Sequence, residues 1–292
     1  MKKIQALWLL SRPHQWIKNL FLFAPLFFTF DITLEQTLSV LTGFLIFSIT
    51  ASSIYIFNDF YDVEEDKIHP TKRNRPIASG QVSKKSAIVF GSLLLCLALS
   101  AAFGLKQSFT LILLLYVILN ISYTIKLKHI PILDISIIAC GFVLRIFAGA
   151  AIIDVSPSMW IVLVTFLLAL FLALAKRRDD VLLALEGKKA RKNIDGYNLE
   201  MLNASMTLMA SVTILSYIMY TVSPEVTNRL GTHNLYLTAF FVMIGMLRYM
   251  QLTFVEQKSG SPTMIVLKDR FLQSVILGWI SLFYIIVKVS SC

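Results

Sequence analysis

The chain has 292 residues, 57% of them hydrophobic and only 15% charged, with a formal net charge of +10 and a mean hydropathy of +0.72. A soluble domain is nearer half apolar and a quarter charged, so one globular core cannot hide this much apolar surface, and lipid must be a large part of the solvent. The basic residues lie in short loops between apolar runs and not in a separate basic domain, which argues against nucleic acid as a partner and fits cations that set membrane orientation and touch anionic headgroups.

Apolar runs of roughly 17–25 residues can cross a bilayer as helices. Nine are found, at 15–31, 36–57, 86–104, 108–126, 132–153, 158–176, 203–222, 234–255 and 270–288. The runs are continuous and not alternating, so helices and not barrel strands are expected. Ahead of the first, Arg12-Pro13-His14 breaks the apolar pattern, and no small-residue cleavage site follows, which argues against a removed signal peptide. Pro25 should kink the first span. Cys96 and Cys140 fall within spans and are expected to be core thiols, and Cys292 is a tail residue.

Loop charges then orient the chain. With the N-terminus in the cytosol, the 27 Lys and Arg residues fall on the cytosolic side except Lys106, Arg229 and Lys288 outside and Arg145 within the fifth span. An even number of helices would put this pattern out of phase. The expectation is therefore an all-α polytopic bundle of nine transmembrane helices, a single integral-membrane domain over 1–292. It sits in the inner (cytoplasmic) membrane with the C-terminus outside. The outside loops are short, whereas the inside loops 58–85 and 177–202 are long and polar, so these two should cap an active site on the cytosolic face. They follow the second and sixth spans, a spacing that hints at a repeated four-helix unit.

The second span runs into Asn58-Asp59-Phe60-Tyr61-Asp62-Val63-Glu64-Glu65-Asp66. On a continuing helix Asn58, Asp62 and Asp66 are spaced i, i+4 and i+8 with Asp59 beside them. Carboxylates gathered there repel one another and sit at a helix C-terminus, where negative charge is disfavoured, so a bound cation is expected. Oxygen ligands alone point to a hard ion, and Mg²⁺ suits a few carboxylates plus the oxygens of a substrate diphosphate. The loop that follows supplies Lys72, Arg73 and Arg75, side chains that clamp phosphates by charge-assisted bonds. A solvated helix end of mixed charge is the bland alternative, but the motif abuts the membrane and leads into a basic, Pro-bounded loop.

These residues resemble the UbiA superfamily of intramembrane prenyltransferases, whose first motif is N-D-x-x-D-x-x-x-D. More narrowly the chain is similar to the decaprenyl-phosphate phosphoribosyltransferase branch. The matching stretches are Arg12-Pro13-His14-Gln15-Trp16-Ile17-Lys18-Asn19, Asp66 to Gly80, Lys176-Arg177-Arg178, Gly196-Tyr197-Asn198, Leu247-Arg248-Tyr249 and Lys268-Asp269-Arg270. One departure separates branches. Where aromatic prenyltransferases of the superfamily carry a second spaced acidic motif, this chain has Lys176-Arg177-Arg178-Asp179-Asp180. Adjacent aspartates diverge by about 100° on a helix, so the segment suits direct binding of a phosphate better than a second metal.

The resemblance implies that Asn58, Asp59, Asp62 and Asp66 hold Mg²⁺ on the diphosphate of phosphoribosyl diphosphate, with the three aspartates catalytic. Substrate contacts are expected from Lys18, Asn58, Lys72, Arg73, Arg75, Tyr123, Lys126, Arg145, Lys176, Arg177, Arg178 and Tyr197. Several have a second reading: Lys126 is equally a topology anchor, Arg145 near midspan is functional by default or else snorkelling, and Tyr197 with Asn198 would close over the sugar. The acceptor implied is a polyprenyl phosphate, and the product a pentose donor for envelope glycans; a homo-oligomer is allowed. An aromatic prenyltransferase acting on a prenyl diphosphate is the alternative enzyme. A transporter is the alternative class, with only Asp134 and Arg145 available near a permeation path.

Overall fold

The computed structural model describes residues 2–29, 32–69, 71–185, 196–257 and 261–290. Among these the chain is entirely helical. It contains eight helical segments long and apolar enough to cross a membrane: Leu34–Tyr61, Lys84–Leu105, Gln107–Ile125, Leu133–Ile152, Met159–Leu185, Leu199–Val222, Asn234–Phe254 and Arg270–Val289. The protein is a multi-pass, all-helical membrane protein. It divides into two compact units, Met1–Pro157 and Ser158–Cys292. Each contains four of the eight candidate spans.

Unit one opens with α1 (Lys2–Ser11), then a 3-10 helix (Pro13–Phe23) that passes into α2 (Ala24–Thr29). After these come α3 (Leu34–Tyr61), α4 (Val63–Ile68), α5 (Lys84–Leu105), α6 (Gln107–Ile125) and α7 (Leu133–Ile152). Thr33 and Gln36 form a reciprocal capping box that starts α3. The interior is built on Phe47, Phe109, Leu113 and Tyr116, with Leu22 and Leu26 from the 3-10 helix and α2.

The segment expected as the first span is not one α-helix. Eleven residues are 3-10, an unusual length for that geometry, and the change to α-helix comes at Ala24, just before the buried Pro25. Proline is tolerated in a first helical turn, and Pro25 lies in the first turn of α2, where the helix type changes. A specific match stabilises the 3-10 stretch. Three residues of 3-10 helix rise about 6 Å, and so do four residues of α-helix. Trp16 and Asn19 therefore meet Ser52 and Ser48 of α3 rung for rung: Trp16 Nε1 donates to Ser52 Oγ at 3.0 Å and Asn19 Nδ2 to Ser48 Oγ at 2.9 Å. The next rung, Leu22, lies against Gly149 of α7, where an added Cβ would run into the Leu22 carbonyl oxygen and stand 2.8 Å from its carbon.

Unit two contains α8 (Met159–Leu185), α9 (Leu199–Val222), α10 (Pro224–Leu230), α11 (Ala239–Phe254), α12 (Pro262–Lys268) and α13 (Arg270–Ser290). The sixth span is longer than the hydropathy suggests, because α8 continues to Leu185 and takes Lys176-Arg177-Arg178 into the helix. Residues 186–195 of the 177–202 loop, including the basic Lys188, Lys189, Arg191 and Lys192, lie outside the described residues, as do Lys258 and Cys292. Cys96 and Cys140 are exposed on span surfaces and are not core thiols; a thiol is apolar enough to face lipid.

The Gly149 contact is with backbone, which cannot move aside as a side chain can. Gly149→Ala should therefore destabilise the protein by about 1–3 kcal/mol through overpacking. Gly104 has open space around it, so Gly104→Ala should be neutral or stabilising by up to about 1 kcal/mol. Thermal melts of the two purified variants in the same detergent check both signs.

Candidate active site

The acidic motif lies where α3 ends. Asp62 is the joint, outside the helical region at φ −88°, ψ 7°, but Asp62 N–H to Asn58 C=O (2.9 Å) and Asp66 N–H to Asp62 C=O (2.8 Å) carry the helical bonding through into α4. The side chains do not form the expected Asn58–Asp62–Asp66 stripe. Seven residues are close to two full turns, so Asp59 and Asp66 align, whereas eight residues overshoot by about 80°. Arg75 Nη1 donates to Asp59 Oδ1 at 2.9 Å and to Asp66 Oδ2 at 2.7 Å. Arg12 also binds Asp59 Oδ1. On the other side Lys128 pairs with Asp62 Oδ1, Asn58 Nδ2 donates to Asp62 Oδ2 at 3.2 Å, and Thr124 Oγ1 donates to Asn58 Oδ1 at 3.3 Å.

Each cation reaches its place for a local reason. Arg75 opens the turn 76–82, whose Ile77 and Val82 are buried with Ala6, Leu10, Ile56 and Val63; that small apolar cluster fixes the loop over the end of α3. Arg12 adopts the left-handed conformation (φ 50°) between α1 and the 3-10 helix, uncommon for a residue with a side chain, and stacks its guanidinium 5.3 Å from the Tyr55 ring. Lys128 sits in a 3-10 turn after α6, 5.1 Å over the Tyr61 ring.

Asp59 and Asp66 are almost fully buried, at 2% and 3% exposure. Burial pushes the Asp66 carboxyl above the usual carboxylate range, with Arg75 working against it. Asp59 Oδ2 is buried and has no hydrogen-bond partner, a costly condition for a carboxylate oxygen. Among the described residues no three His, Cys, Asp or Glu side chains come together as a metal cluster. A pair of carboxylates is enough for Mg²⁺, which commonly takes one or two and completes its shell with water and phosphate oxygens. Asp59 and Asp66, which already share one cationic nitrogen, fit that role, and the partnerless Asp59 oxygen adds a ligand atom.

Of the remaining predicted residues, Lys72 lies close enough to act electrostatically on Asp66. Arg73 and Lys126 are exposed, and Tyr123 is part-buried. The cation from the α6 end that meets the motif is Lys128. Arg145 is buried and donates to Asn19 Oδ1 (2.8 Å), Gly141 C=O (2.7 Å) and Tyr116 Oη (3.1 Å), with the rings of Phe47, Tyr116 and Phe142 about its guanidinium at 5.0–5.2 Å. It ties the 3-10 helix to α6 and α7. Arg12, Thr124 and Lys128 escaped selection as site residues from sequence. The signal for Lys128 was present, two residues beyond Lys126 in the same segment.

Within unit two, Lys176 is exposed and Arg177 Nη1 binds Asp180 Oδ2 at 2.8 Å. Arg178 turns inward, donating to Asn203 Oδ1 and to Thr253 C=O, both at 2.8 Å, and so joins α8, α9 and α11. Tyr197 is buried. Asn198 caps α9, accepting from Met201 N–H at 2.7 Å, so its side chain serves the helix start. Two segments singled out from sequence meet here: Arg248 Nη2 donates to Asp269 Oδ2 at 2.7 Å, which holds the Asp269 carboxyl below its usual range.

Residues 20–275 match the model of the UbiA prenyltransferase family. The chain belongs to this family. It is 34% identical over 281 residues to a decaprenyl-phosphate phosphoribosyltransferase of Mycolicibacterium smegmatis, covering 92% of this chain and 88% of that one. With the protein of the same name from Corynebacterium glutamicum the identity is 33% over 277 residues, 92% and 82% of the two chains. Among solved structures, a UbiA homolog from Archaeoglobus fulgidus bound to GPP and Mg²⁺ superposes with a TM-score of 0.69 at 19% identity, covering 99% of this chain and 100% of that one. The fold is UbiA-like, and the protein is a UbiA-family transferase.

The two lysines after α6 separate an anchoring role from a site role. Lys128→Met leaves Asp62, only 12% exposed, without its cation and should destabilise the protein by about 2–4 kcal/mol, below the range for a fully buried pair. Lys126→Met should stay within about 0.5 kcal/mol. Chemical or thermal denaturation of the two variants checks the contrast.

Proposed function

We propose that this protein transfers the 5-phosphoribosyl group of phosphoribosyl diphosphate to the phosphate of a polyprenyl, decaprenyl-type lipid, releasing diphosphate, and that it requires Mg²⁺. The observation that carries the reading is the carboxylate pair Asp59–Asp66 with its partnerless oxygen, bound by Arg12 and Arg75, with Asp62 and its partner Lys128 on the other side of the motif. This arrangement suits a metal–diphosphate. The named relatives, matching over 92% of the chain, support phosphoribose as the group transferred. So does the sequence Lys176-Arg177-Arg178-Asp179-Asp180, which lacks a second spaced acidic motif.

Asp59 and Asp66 would hold Mg²⁺, with Asp62 and Asn58 beside them, and the bound ion supplies neutralisation of charge on the departing diphosphate. Arg12, Arg75 and Lys128 lie within reach to take up diphosphate oxygens, and Lys72 and Arg73 on the same loop extend the basic surface. The acceptor phosphate is already anionic, so no strong general base is needed; positioning and charge stabilisation supply the catalysis. The product would be a lipid-linked pentose phosphate of the inner leaflet, used as a donor for envelope glycans.

For topology we propose nine crossings of the inner membrane with the N-terminus and the acidic motif cytosolic. The 3-10 helix of 11 residues and α2 of 6 reach about 31 Å at about 2.0 and 1.5 Å per residue, near the thickness of the hydrocarbon core. Over its 11 residues the 3-10 geometry adds about 5.5 Å of reach to what an α-helix would give.

Membranes containing the protein, given labelled phosphoribosyl diphosphate, Mg²⁺ and polyprenyl phosphate, should yield a lipid-soluble label. Asp59→Asn and Asp62→Ala should lower that rate by about a hundredfold or more, and chelation of the metal should abolish it. Absence of lipid-soluble label, with turnover instead of a prenyl diphosphate and an aromatic acid, overturns the reading.

A further inference from the structure

Helix α1 is apolar on two opposite sides. At about 100° per residue, Ala6, Leu7 and Leu10 share one side, and they pack in the cluster with Ile56, Val63, Ile77, Val82 and Ala87. Ile4, Trp8 and Leu9 fall on the other side with Gln5 among them. All four are exposed, the three apolar ones by 75%, 59% and 56%. A helix that faces water carries polar residues on its outer side, whereas one that is apolar all round is covered.

What covers α1 follows from where it sits. Its cluster partners come from the end of α3, from α4, from the loop after it and from the first turn of α5, so α1 lies at the level where the spans give way to the loop. Ten residues of α-helix reach about 15 Å, half of a hydrocarbon core, and cannot cross it. Beyond Arg12 the chain goes inward, with Lys18 part-buried and Asn19 buried. Trp8 stands edge-on to Trp16, ring centroids 6.3 Å apart. Trp16 uses its indole N–H on Ser52; that of Trp8 has no partner among the described residues. An apolar ring with a free N–H suits the headgroup level of a bilayer. The charges agree. The helix opens with Lys2 and Lys3 and contains no acidic residue, and Lys85, two residues before Ala87, is exposed with no ion pair among the described residues. We propose that α1 is an interfacial helix whose Ile4–Trp8–Leu9 face docks on a lipid leaflet carrying anionic headgroups, on the side of the acidic motif. A second copy of the chain would set one cationic helix against another, whereas an anionic leaflet compensates the charge. Because α1 runs directly into Arg12, whose guanidinium binds Asp59, the leaflet becomes part of the frame that holds the acidic motif. The inference does not rest on the proposed transfer reaction.

Fluorescence quenching of the full-length protein tests it, in vesicles of phosphatidylcholine and phosphatidylglycerol containing lipid brominated either next to the glycerol or near the chain end. The part of the tryptophan emission that Trp8→Phe removes should be lost mainly to the shallow bromines. Thermal melts in the same vesicles test the charge. Adding phosphatidylglycerol to phosphatidylcholine should raise the melting temperature of the wild type. That rise should fall to about half or less when Ile4→Gln and Trp8→Gln are combined, and likewise when Lys2→Glu, Lys3→Glu and Lys85→Glu are combined. Leu9→Gln with Ile4→Gln is the second variant should the Trp8 change not fold. Trp8 emission that neither bromine quenches, or that the deep bromines quench more, overturns the proposal. So does a phosphatidylglycerol response that the apolar and the charge substitutions both leave unchanged. Self-association that Trp8→Gln abolishes, with the bromines without effect, assigns the face to a second copy of the chain and overturns it as well. Depth and melting are read without turnover, so the result stands apart from success or failure of the labelled transfer assay.

Discussion

A single guanidinium nitrogen of Arg75 stands 2.9 Å from one buried carboxylate and 2.7 Å from another, and much of unit one exists to keep it there. Buried acids at the end of a membrane helix repel one another and work against the helix dipole. The chain meets that cost by bringing a cation to each aspartate from a different element: Arg12 from the link after α1, Arg75 from the loop before α5, Lys128 from the turn after α6. None of these links is regular structure, so each must be pinned by its neighbours. The apolar cluster of Ile77, Val82, Ala6, Leu10 and Val63 pins two of them at once. The site is therefore stitched together from segments that are remote in sequence, and its charge balance depends on their common packing.

The second organising element is the polar seam under the 3-10 helix. Ser48 and Ser52 are small residues in a long apolar helix, and they accept from Asn19 and Trp16 at matched heights. Arg145 closes the seam by holding the other side of Asn19. Polar groups in a membrane interior are tolerated when each finds a partner, and here the partners also select an uncommon helix type.

What could be read beforehand follows from what each feature depends on. Apolar run length is a local property, so eight spans lie close to where hydropathy puts them, and the acidic motif lies at the helix end where its spacing implies. The 3-10 segment has the apolar composition of an ordinary span; its geometry comes from Ser48, Ser52 and Gly149, which are distant in sequence. The same reason hid Lys128 and Arg12. Which of several basic residues turns toward an aspartate depends on the turn that carries it, and a left-handed Arg12 or a short 3-10 turn at Lys128 leaves no periodic trace. In the other direction, Arg178 looked like a ligand for phosphate from its basic neighbours, yet its donors go to Asn203 and a backbone carbonyl.

The 3-10 helix gives residues 13–23 something close to a reading frame. Its contacts recur every third residue: Trp16, Asn19 and Leu22 inward, Gln15 and Lys18 along one edge. One inserted or deleted residue would turn everything after it by about 120° and move it about 2 Å, carrying the inward row onto the edge and Lys18 away from its place. A lipid-facing α-helix can absorb such a change, since one apolar side chain facing hydrocarbon is much like the next. This stretch cannot, and over evolutionary time its length should be held more strictly than the identity of most residues in it.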